Sequence, residues 1–326
     1  MKSNITHRRA LLQIGAIAAL SILPPAIHAQ SWPARPVTLV VPFPAGGIVD
    51  NVSRSLLPRL TTSLGQPLII ENKAGAGGSI GTAQVAKARP DGYTLLMAFD
   101  THMVNPLLYK LTFDSEKDLT PVALIGTSPL IVVVPQGSPI NTLQDLVATA
   151  KKRPGALAYA STGPGSSNQL ATELFKMMTG TDMMHVPYKG GAPAITDTLA
   201  GRVDVMFVSA ASVLAHIKAG KLKPLAVTTR ERIEQLPEVP AVHELFPGYE
   251  AQSWIGMLAP SQTPADIVKR LNAEVNAALQ SADIKALMQS QAIRPTTMTP
   301  ENFGRFMHAE GKRWAPVIQK ARITVD

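Results

Sequence analysis

Residues 37–50, with the sequence VTLVVPFPAGGIVD, constrain the fold of this chain more than any other stretch. The β-branched run at 37–41 is typical of a buried strand, and two prolines with two glycines at 42–47 interrupt it. From Ile48 onward apolar residues recur at helical spacing. A strand therefore leads through a glycine-rich loop into a helix. The unpaired N–H groups at such a helix start suit an anion, although a simple βα turn explains the same residues.

The same succession of strand, glycine-rich loop and helix occurs twice more. It predicts an α/β fold with parallel strands, in which ligands bind beyond the carboxyl ends of the strands. The hydroxyls near residue 161 can donate to a carboxylate, although Ser166 or Ser167 can equally do no more than cap the next helix. We name these segments the first glycine loop (residues 42–47), the second glycine loop (74–79) and the third glycine loop (161–167).

A third early strand is predicted at residues 93–98, and it ends in the residues Phe-Asp-Thr-His at 99–102, here called the polar exit. Because the carboxyl ends of parallel strands meet at one edge of a sheet, we expect the polar exit to lie beside the first two glycine loops.

Two domains are expected, because 326 residues of which 45% are hydrophobic can bury more than one core. The apolar runs within 121–135 predict the crossing into the second domain, and residues 251–259 predict the return. We therefore expect domain 1 at 30–126 plus 252–326 and domain 2 at 127–251. Two crossings form a hinge, and a cleft between the lobes can close on a solute.

The N-terminus has the pattern of a secretory signal. Lys2, Arg8 and Arg9 precede an apolar run at 10–23, and small residues lead to an exit after Ala29. We predict a signal peptide at residues 1–29, with Sec and twin-arginine export both open. The net charge of +8 includes the three basic residues of this segment. The remaining positive charge is spread along the chain and does not indicate nucleic-acid binding.

Several kinds of chemistry are excluded or disfavoured. The chain has no cysteine, so disulfides, thiolate metal sites and cysteine nucleophiles are absent. No serine stands in GxSxG, and the histidines lack metal-ligand spacing. The second glycine loop fits neither the dinucleotide nor the P-loop pattern, and we expect neither cofactor nor metal. The alternatives to a binding protein are an exported enzyme that uses Asp50 or Asp100 as a base, or a periplasmic ligand sensor.

Six stretches in order along the mature chain resemble the periplasmic substrate-binding proteins of tripartite tricarboxylate transporters, the Bug family. The resemblance implies a two-lobed type II periplasmic-binding-protein fold that closes on a small organic anion and delivers it to a two-component membrane permease. The stretches are WPARP (32–36), VVPFPAGGIVDNVSR (40–54), IIENKAGAGGSIG (69–81), ARPDGYTLL (88–96), STGPGSSNQLATELF (161–175) and HVPYKGGAPAITDTLAGRVDVMF (185–207).

The resemblance also implies a site. The first glycine loop is expected to approach a ligand carboxylate, Asp50 to lie at the following helix start, and the other two loops to complete the cleft. Asp100 departs from the Ser or Asn that relatives often carry, and it can bind an ammonium group, repel a second carboxylate or be a surface residue. The predicted ligand-binding residues are Phe43, Pro44, Ala45, Gly46, Gly47, Asp50, Ala76, Gly77, Ser79, Asp100, Thr101, His102, Ser161, Thr162, Gly163, Gly165, Ser166, Tyr188 and Ser209.

We therefore expect a periplasmic, monomeric solute-binding protein without enzymatic activity. Its ligand is expected to be a small carboxylate, which includes organic acids, amino acids and aromatic acids. Fold does not fix the ligand, so the sequence leaves the identity of the carboxylate open.

Overall fold

Strand β1 (Val37–Val41) lies inside a mixed sheet, where four of its five residues are buried, as a β-branched run favours. The computed structural model describes residues 32–325. The predicted signal peptide, residues 1–29, lies outside the described residues. Residues 32–34 belong to an N-terminal unit, and residues 35–325 to a second unit with the fold that follows.

The other strands in the described part of the chain pair with β1 or with one another in a single ten-stranded sheet. They are β2 (Leu68–Asn72), β3 (Thr94–Phe99), β4 (Leu119–Pro135), β5 (Ala158–Ser161), β6 (Met184–Pro187), β7 (Val205–Ser209), β8 (Leu222–Val227), β9 (Gln252–Pro260) and β10 (Arg294–Pro295).

The strand order is β2-β1-β3-β9-β4-β7-β5-β6, and β8 and β10 pair with β4 outside this path. β1 is parallel to β2 and β3, and β5 is parallel to β6 and β7, which confirms the predicted parallel units. β9 is antiparallel to both β3 and β4, so the sheet as a whole is mixed.

Helices connect most of these strands. Within residues 32–325 no helix combines the length and the apolar character that crossing a bilayer requires. The connecting helices are α1 (Ile48–Leu64), α2 (Ser79–Ala86), α3 (Thr101–Leu108), α4 (Leu143–Lys152), α5 (Ser167–Thr179), α6 (Gly191–Leu199), α7 (Ala210–Lys218), α8 (Val242–Leu245), α9 (Ala265–Gln280), α10 (Ala282–Ser290) and α11 (Pro300–Ala321).

Strand β4 joins two halves of the sheet. Its residues 119–129 pair with β9, whereas its residues 130–133 pair with β7 and residues 131–135 with β8. We call β1, β2, β3, β9 and β10 with the start of β4 the first half. The second half comprises β5 to β8 with the end of β4.

The C-terminal helix α11 contributes to the cores of both halves. Phe303 and Met307 pack in a cluster with side chains of β1, β3 and β9. Trp314, Val317 and Ile318 pack in a cluster with side chains of β5, β7 and α5. In the sequence, Phe303, Met307, Trp314 and Val317 recur at helical spacing, which predicts a packing role, and their burial confirms it.

Two elements differ from the sequence interpretation. The apolar runs within 121–135 are one strand, because β4 takes up Pro121 and Gly126 at shifts in its register with β9. The polar exit is not only a loop, since α3 begins at Thr101 within it. The helix is eight residues long and contains Pro106, so its helical pattern is weak in the sequence.

Candidate functional site

The carboxylate of Asp50 holds the first glycine loop. Its Oδ2 accepts hydrogen bonds from the Gly46 N–H (2.9 Å) and from Arg54 Nε (2.9 Å). Its Oδ1 accepts from Asn72 Nδ2 (2.9 Å), which also donates to the Phe43 carbonyl (3.2 Å). Asp50 is 1% exposed. The Asp50 side chain therefore fixes the conformation of the first glycine loop, directly through Gly46 and indirectly through Asn72.

Asp50 stays ionised. The hydrogen bond from Arg54 lowers its pKa to about 2, with smaller contributions in the same direction from Gly46 and Asn72, against the opposing effect of burial. A carboxylate with so low a pKa is a poor proton acceptor near neutral pH, which disfavours Asp50 as a general base.

Asp50→Ala is expected to lower the free energy of unfolding at pH 7 by about 3 kcal/mol, because it removes the buried, charged acceptor of three hydrogen bonds. Since the folded pKa lies below the unfolded value, this stabilisation is present above about pH 4 and lost as the pH falls toward about 2. Urea unfolding at pH 7 and pH 3 measures it. The control is Asp283→Ala, because Asp283 binds Arg59 at the surface, where ion pairs contribute about 0–1 kcal/mol. Equal losses of unfolding free energy in Asp50→Ala and Asp283→Ala would contradict the structural role given to Asp50.

The first and second glycine loops are in contact. A Cβ atom on Gly78 would lie 3.2 Å from Phe43 Cζ, and one on Gly81, in helix α2 just after the second loop, would lie 2.9 Å from Pro42 Cβ. Phe43 packs edge-on against Phe99, with 5.6 Å between ring centroids. The predicted meeting of these two loops with the end of β3 is thus present in the structure.

The second glycine loop is bonded to helix α3. The Gly77 carbonyl accepts hydrogen bonds from Thr101 Oγ1 (2.9 Å) and Asn105 Nδ2 (2.9 Å). Gly77 has φ +61°, and a Cβ there would lie 2.8 Å from Asn105 Oδ1. Only glycine satisfies both the left-handed backbone and this close approach.

The third glycine loop reaches the same helix from the second half of the sheet. A Cβ on Gly165 (φ +72°) would lie 2.2 Å from Leu108 Cδ1 and 3.8 Å from Val104 Cγ1. Ser166 caps α5, where its Oγ accepts from the Gln169 N–H and donates to the Gly163 carbonyl (2.6 Å). Loops from both halves of the sheet therefore converge on α3.

Ser161 lies in a hydrogen-bond chain that does not activate it. The Gly165 N–H donates to Gln169 Oε1 (2.8 Å), which leaves Gln169 Nε2 to donate to His185 Nδ1 (3.3 Å). His185 must then carry its proton on Nε2 and donate to Ser161 Oγ (2.7 Å). A ring in this tautomer cannot take a proton from the serine, so the pair is structural.

Other predicted residues have partners of their own. His102 is buried with Nε2 3.1 Å from the Ser115 carbonyl, and burial lowers its pKa to about 4, so that it is neutral. Tyr188 donates to Asp197 Oδ2 (2.9 Å). Thr162 donates to Asn168 Oδ1 (2.8 Å). Ser79 Oγ donates to the Ala76 carbonyl (2.8 Å).

Two predicted residues have buried polar atoms without a hydrogen-bond partner among the described residues. They are Ser209, through its Oγ, and Asp100, through both carboxyl oxygens. Asp100 is 6% exposed, so the interpretation of it as a surface residue is wrong. Residues at the tips of the first two loops are in contrast exposed, namely Pro44, Ala45, Gly46, Gly47, Ala76 and Gly77.

The side-chain amides that hold the loops were not identified from the sequence. Asn72 and Asn105 bond to the first and second glycine loops, and Gln169 bonds to the third. Asn72 is the last residue of its predicted strand, which is one available signal. Asn105 and Gln169 stand inside helices, where polar residues are common and carry no such signal.

Solved structures with this architecture define the class as two-lobed periplasmic solute-binding proteins. Rpa4515 of R. palustris, solved with adipate, is 38% identical and has a TM-score of 0.82, over 90% of this chain and 99% of its own. MatC (Rpa3494) from Rhodopseudomonas palustris, solved with bound malate, is 33% identical with a TM-score of 0.77, over 88% of this chain and 100% of its own.

The sequence comparisons identify the family. Protein BugT of Bordetella pertussis is 37% identical over 316 residues, which are 96% of this chain and 97% of BugT. The profile of the family described as "Tripartite tricarboxylate transporter family receptor" (TctC) matches residues 52–323. This chain belongs to that family, as its motifs predicted. Members of the family are binding proteins and not enzymes, so the alternative of an enzyme using Asp50 or Asp100 is wrong.

Proposed function

We propose that this protein captures a small carboxylate at the three glycine loops and delivers it to the two-component permease of a tripartite tricarboxylate transporter. The observation that carries the proposal is the convergence of glycine-rich loops from both halves of the sheet on helix α3. Relatives solved with adipate and with malate support a carboxylate as the ligand class.

Backbone N–H groups and hydroxyls are the proposed donors to the carboxylate. The tips of the first and second glycine loops are exposed, and each loop precedes a helix whose first N–H groups attract anions. Arg54, the arginine beside the first loop, is already bonded to Asp50 and Asn72. The anion is therefore held mainly by neutral dipoles. Phe43, Ser161, Thr162, Gly163, Ser166, Tyr188 and Ser209 are kept as proposed contacts.

The two halves of the sheet are proposed as the two lobes, with domain 1 at 30–126 plus 252–326 and domain 2 at 127–251. The boundary at 126/127 falls inside β4 and the one at 251/252 at the start of β9, and these are the strands that pair along the junction. A hinge there would let the third glycine loop move against the first two. Export by residues 1–29, a periplasmic location and a monomeric state complete the proposal.

A thermal-shift panel tests the proposal. Adipate or malate is expected to raise the Tm, since binding at a hundredfold excess over Kd stabilises the folded state by about 2.7 kcal/mol. Dimethyl adipate is the matched control, because it keeps the carbon chain and removes the charge, and it should leave the Tm unchanged. An unchanged Tm across a broad panel of mono- and dicarboxylates would contradict the proposal, as would an equal shift with the ester.

A further inference from the structure

Asp100 is a buried carboxyl group at the junction of the two halves of the sheet. It follows β3, precedes α3 and has both oxygens buried with no hydrogen-bond partner among residues 32–325. Buried charges are normally paired with an opposite charge and hydrogen-bonded, and an ionised carboxylate in this place lacks both. A neutral carboxyl group is far less costly there, so the protonation state of Asp100 depends on its neighbours.

Two hydroxyls lie beside this carboxyl group. The backbone N–H of Thr101 lowers the pKa of Asp100 and so favours its ionised form. Ser167, the first residue of α5, and Ser253 of β9 act in the same direction. They are bonded to each other, however, with Ser253 Oγ donating to Ser167 Oγ at 3.1 Å. Asp100 therefore faces the N-terminus of α5, which is also the end of the third glycine loop.

The charged groups around Asp100 are few. Glu310 on α11 is 4% exposed, and its negative charge raises the pKa of Asp100 further. Glu310 itself forms an ion pair with Arg313 (3.0 Å) and accepts a hydrogen bond from Trp314 Nε1 (3.2 Å). Burial and the negative charge of Glu250, near β9, raise the pKa of Glu310. His102, in the first turn of α3, is neutral. With burial as the main cause, the pKa of Asp100 is raised to about 7.

We propose that the cleft binds a carboxylate together with a proton, and that Asp100 is the group that takes the proton up. This inference rests on the proposed function. The positive end of the α5 dipole would stabilise both a ligand carboxylate at the third glycine loop and an ionised Asp100. Two negative charges at one helix start repel each other, so the ligand displaces the equilibrium toward neutral Asp100.

The proton comes from the buffer acid, whose conjugate base is released, and it binds one carboxyl oxygen of Asp100. The neutral group then has an O–H that can donate to the hydroxyl of Ser167 or Ser253. The affinity for a dicarboxylate is accordingly highest below the pKa of Asp100 and falls as the pH rises through it. If the ligand raises that pKa by one unit, the affinity falls about tenfold between pH 6 and pH 9.

Titration calorimetry with adipate at pH 7.5 tests this directly. Adipate is fully ionised at that pH, so any proton taken up binds to the protein. The apparent binding enthalpies in phosphate and in Tris differ in proportion to the number of protons exchanged. The wild-type chain is expected to take up about half a proton. This is the value at pH 7.5 when binding raises the pKa of Asp100 from about 7 by one unit. Asp100→Asn is expected to take up none and to bind with a pH-independent affinity.

Glu310→Gln is the matched control, because it removes the other buried acid of the junction and should leave the uptake in place. Binding of adipate by the wild-type chain without proton uptake overturns the inference and leaves the proposed function intact. Uptake that survives in Asp100→Asn and disappears in Glu310→Gln overturns it as well. Failure of the whole panel of mono- and dicarboxylates to bind counts against the proposed function instead.

A second measurement covers the case in which Asp100→Asn does not fold. The infrared difference spectrum of Glu310→Gln, recorded with and without adipate at pH 7.5, is expected to gain the band of a protonated carboxyl group. Absence of that band, with adipate shown to be bound, overturns the inference without any variant at position 100.

Discussion

Gly47→Leu is expected to reduce the affinity for the bound carboxylate by on the order of a hundredfold, which corresponds to about 2.7 kcal/mol. Gly47 is exposed at the tip of the first glycine loop and is the N-cap of α1, so a side chain there occupies the space in which the ligand would meet the helix start. Calorimetry with adipate measures the loss.

The fold is expected to tolerate this change. Gly47 has an extended backbone with φ −73°, and the first atom that an added Cβ would meet is the Pro44 carbonyl oxygen at 3.3 Å. The neighbouring Gly46 has φ +81° and is unsuitable, because a side chain there strains the backbone whatever the space. The cost in stability for Gly47→Leu is about 1 kcal/mol, the usual scale of a poorer N-cap.

Gly137→Leu is the matched control for this experiment. Gly137 also lacks a positive φ, and an added Cβ meets no atom within 4 Å, but the residue lies in the turn after β4, outside the three glycine loops. Its affinity for adipate should equal that of the wild-type chain. An unchanged affinity in Gly47→Leu would place the ligand somewhere other than the first glycine loop.

Gly256→Ala is expected to cost about 3 kcal/mol of folding free energy, at the upper end of what overpacking a core costs. Gly256 lies in β9 between β3 and β4, and an added Cβ would lie 2.2 Å from Phe303 Cζ and 2.8 Å from Cε1. The ring of Phe303 is fully buried and packs against Trp254, at 5.7 Å between centroids, and against Phe306. It therefore has little room to withdraw.

A second substitution tests whether the ring of Phe303 causes the loss of stability in Gly256→Ala. Phe303→Leu removes the atoms that an alanine at position 256 would meet, so the two changes are expected to interact favourably, with the double variant more stable than the sum of the single losses predicts. Urea unfolding of the four chains gives the interaction energy. Strictly additive losses would show that the backbone of β9, and not Phe303, makes glycine necessary at this position.

Local patterns predicted the elements whose stability is decided locally. Apolar residues at helical spacing from Val49 to Leu64 predict the buried face of α1. Thr142 with an acid three residues later, Asp145, predicts a helix start, and the two form the capping box that opens α4. In both cases the deciding contacts span four residues or fewer, so the sequence contains the whole signal.

Contacts between distant residues could not be predicted in this way. The surroundings of Asp100 include Ser167 and Ser253, which are far from it in the sequence and are brought together by α5 and β9. The role of Gly165 depends on Leu108, on a helix that the pattern did not reveal. The three glycine loops were recognisable as loops, but the meeting of the second and third loops on α3 follows only from the order of the strands.

The most direct measurement is a crystal structure of the exported chain, purified from the periplasm, with adipate bound. We expect a carboxylate oxygen within about 3 Å of a backbone N–H at the first glycine loop. We also expect an N–H or hydroxyl of the third glycine loop to contact the same ligand from the other lobe. Adipate bound with full occupancy at a surface remote from Gly47 and Ser166 would contradict both expectations.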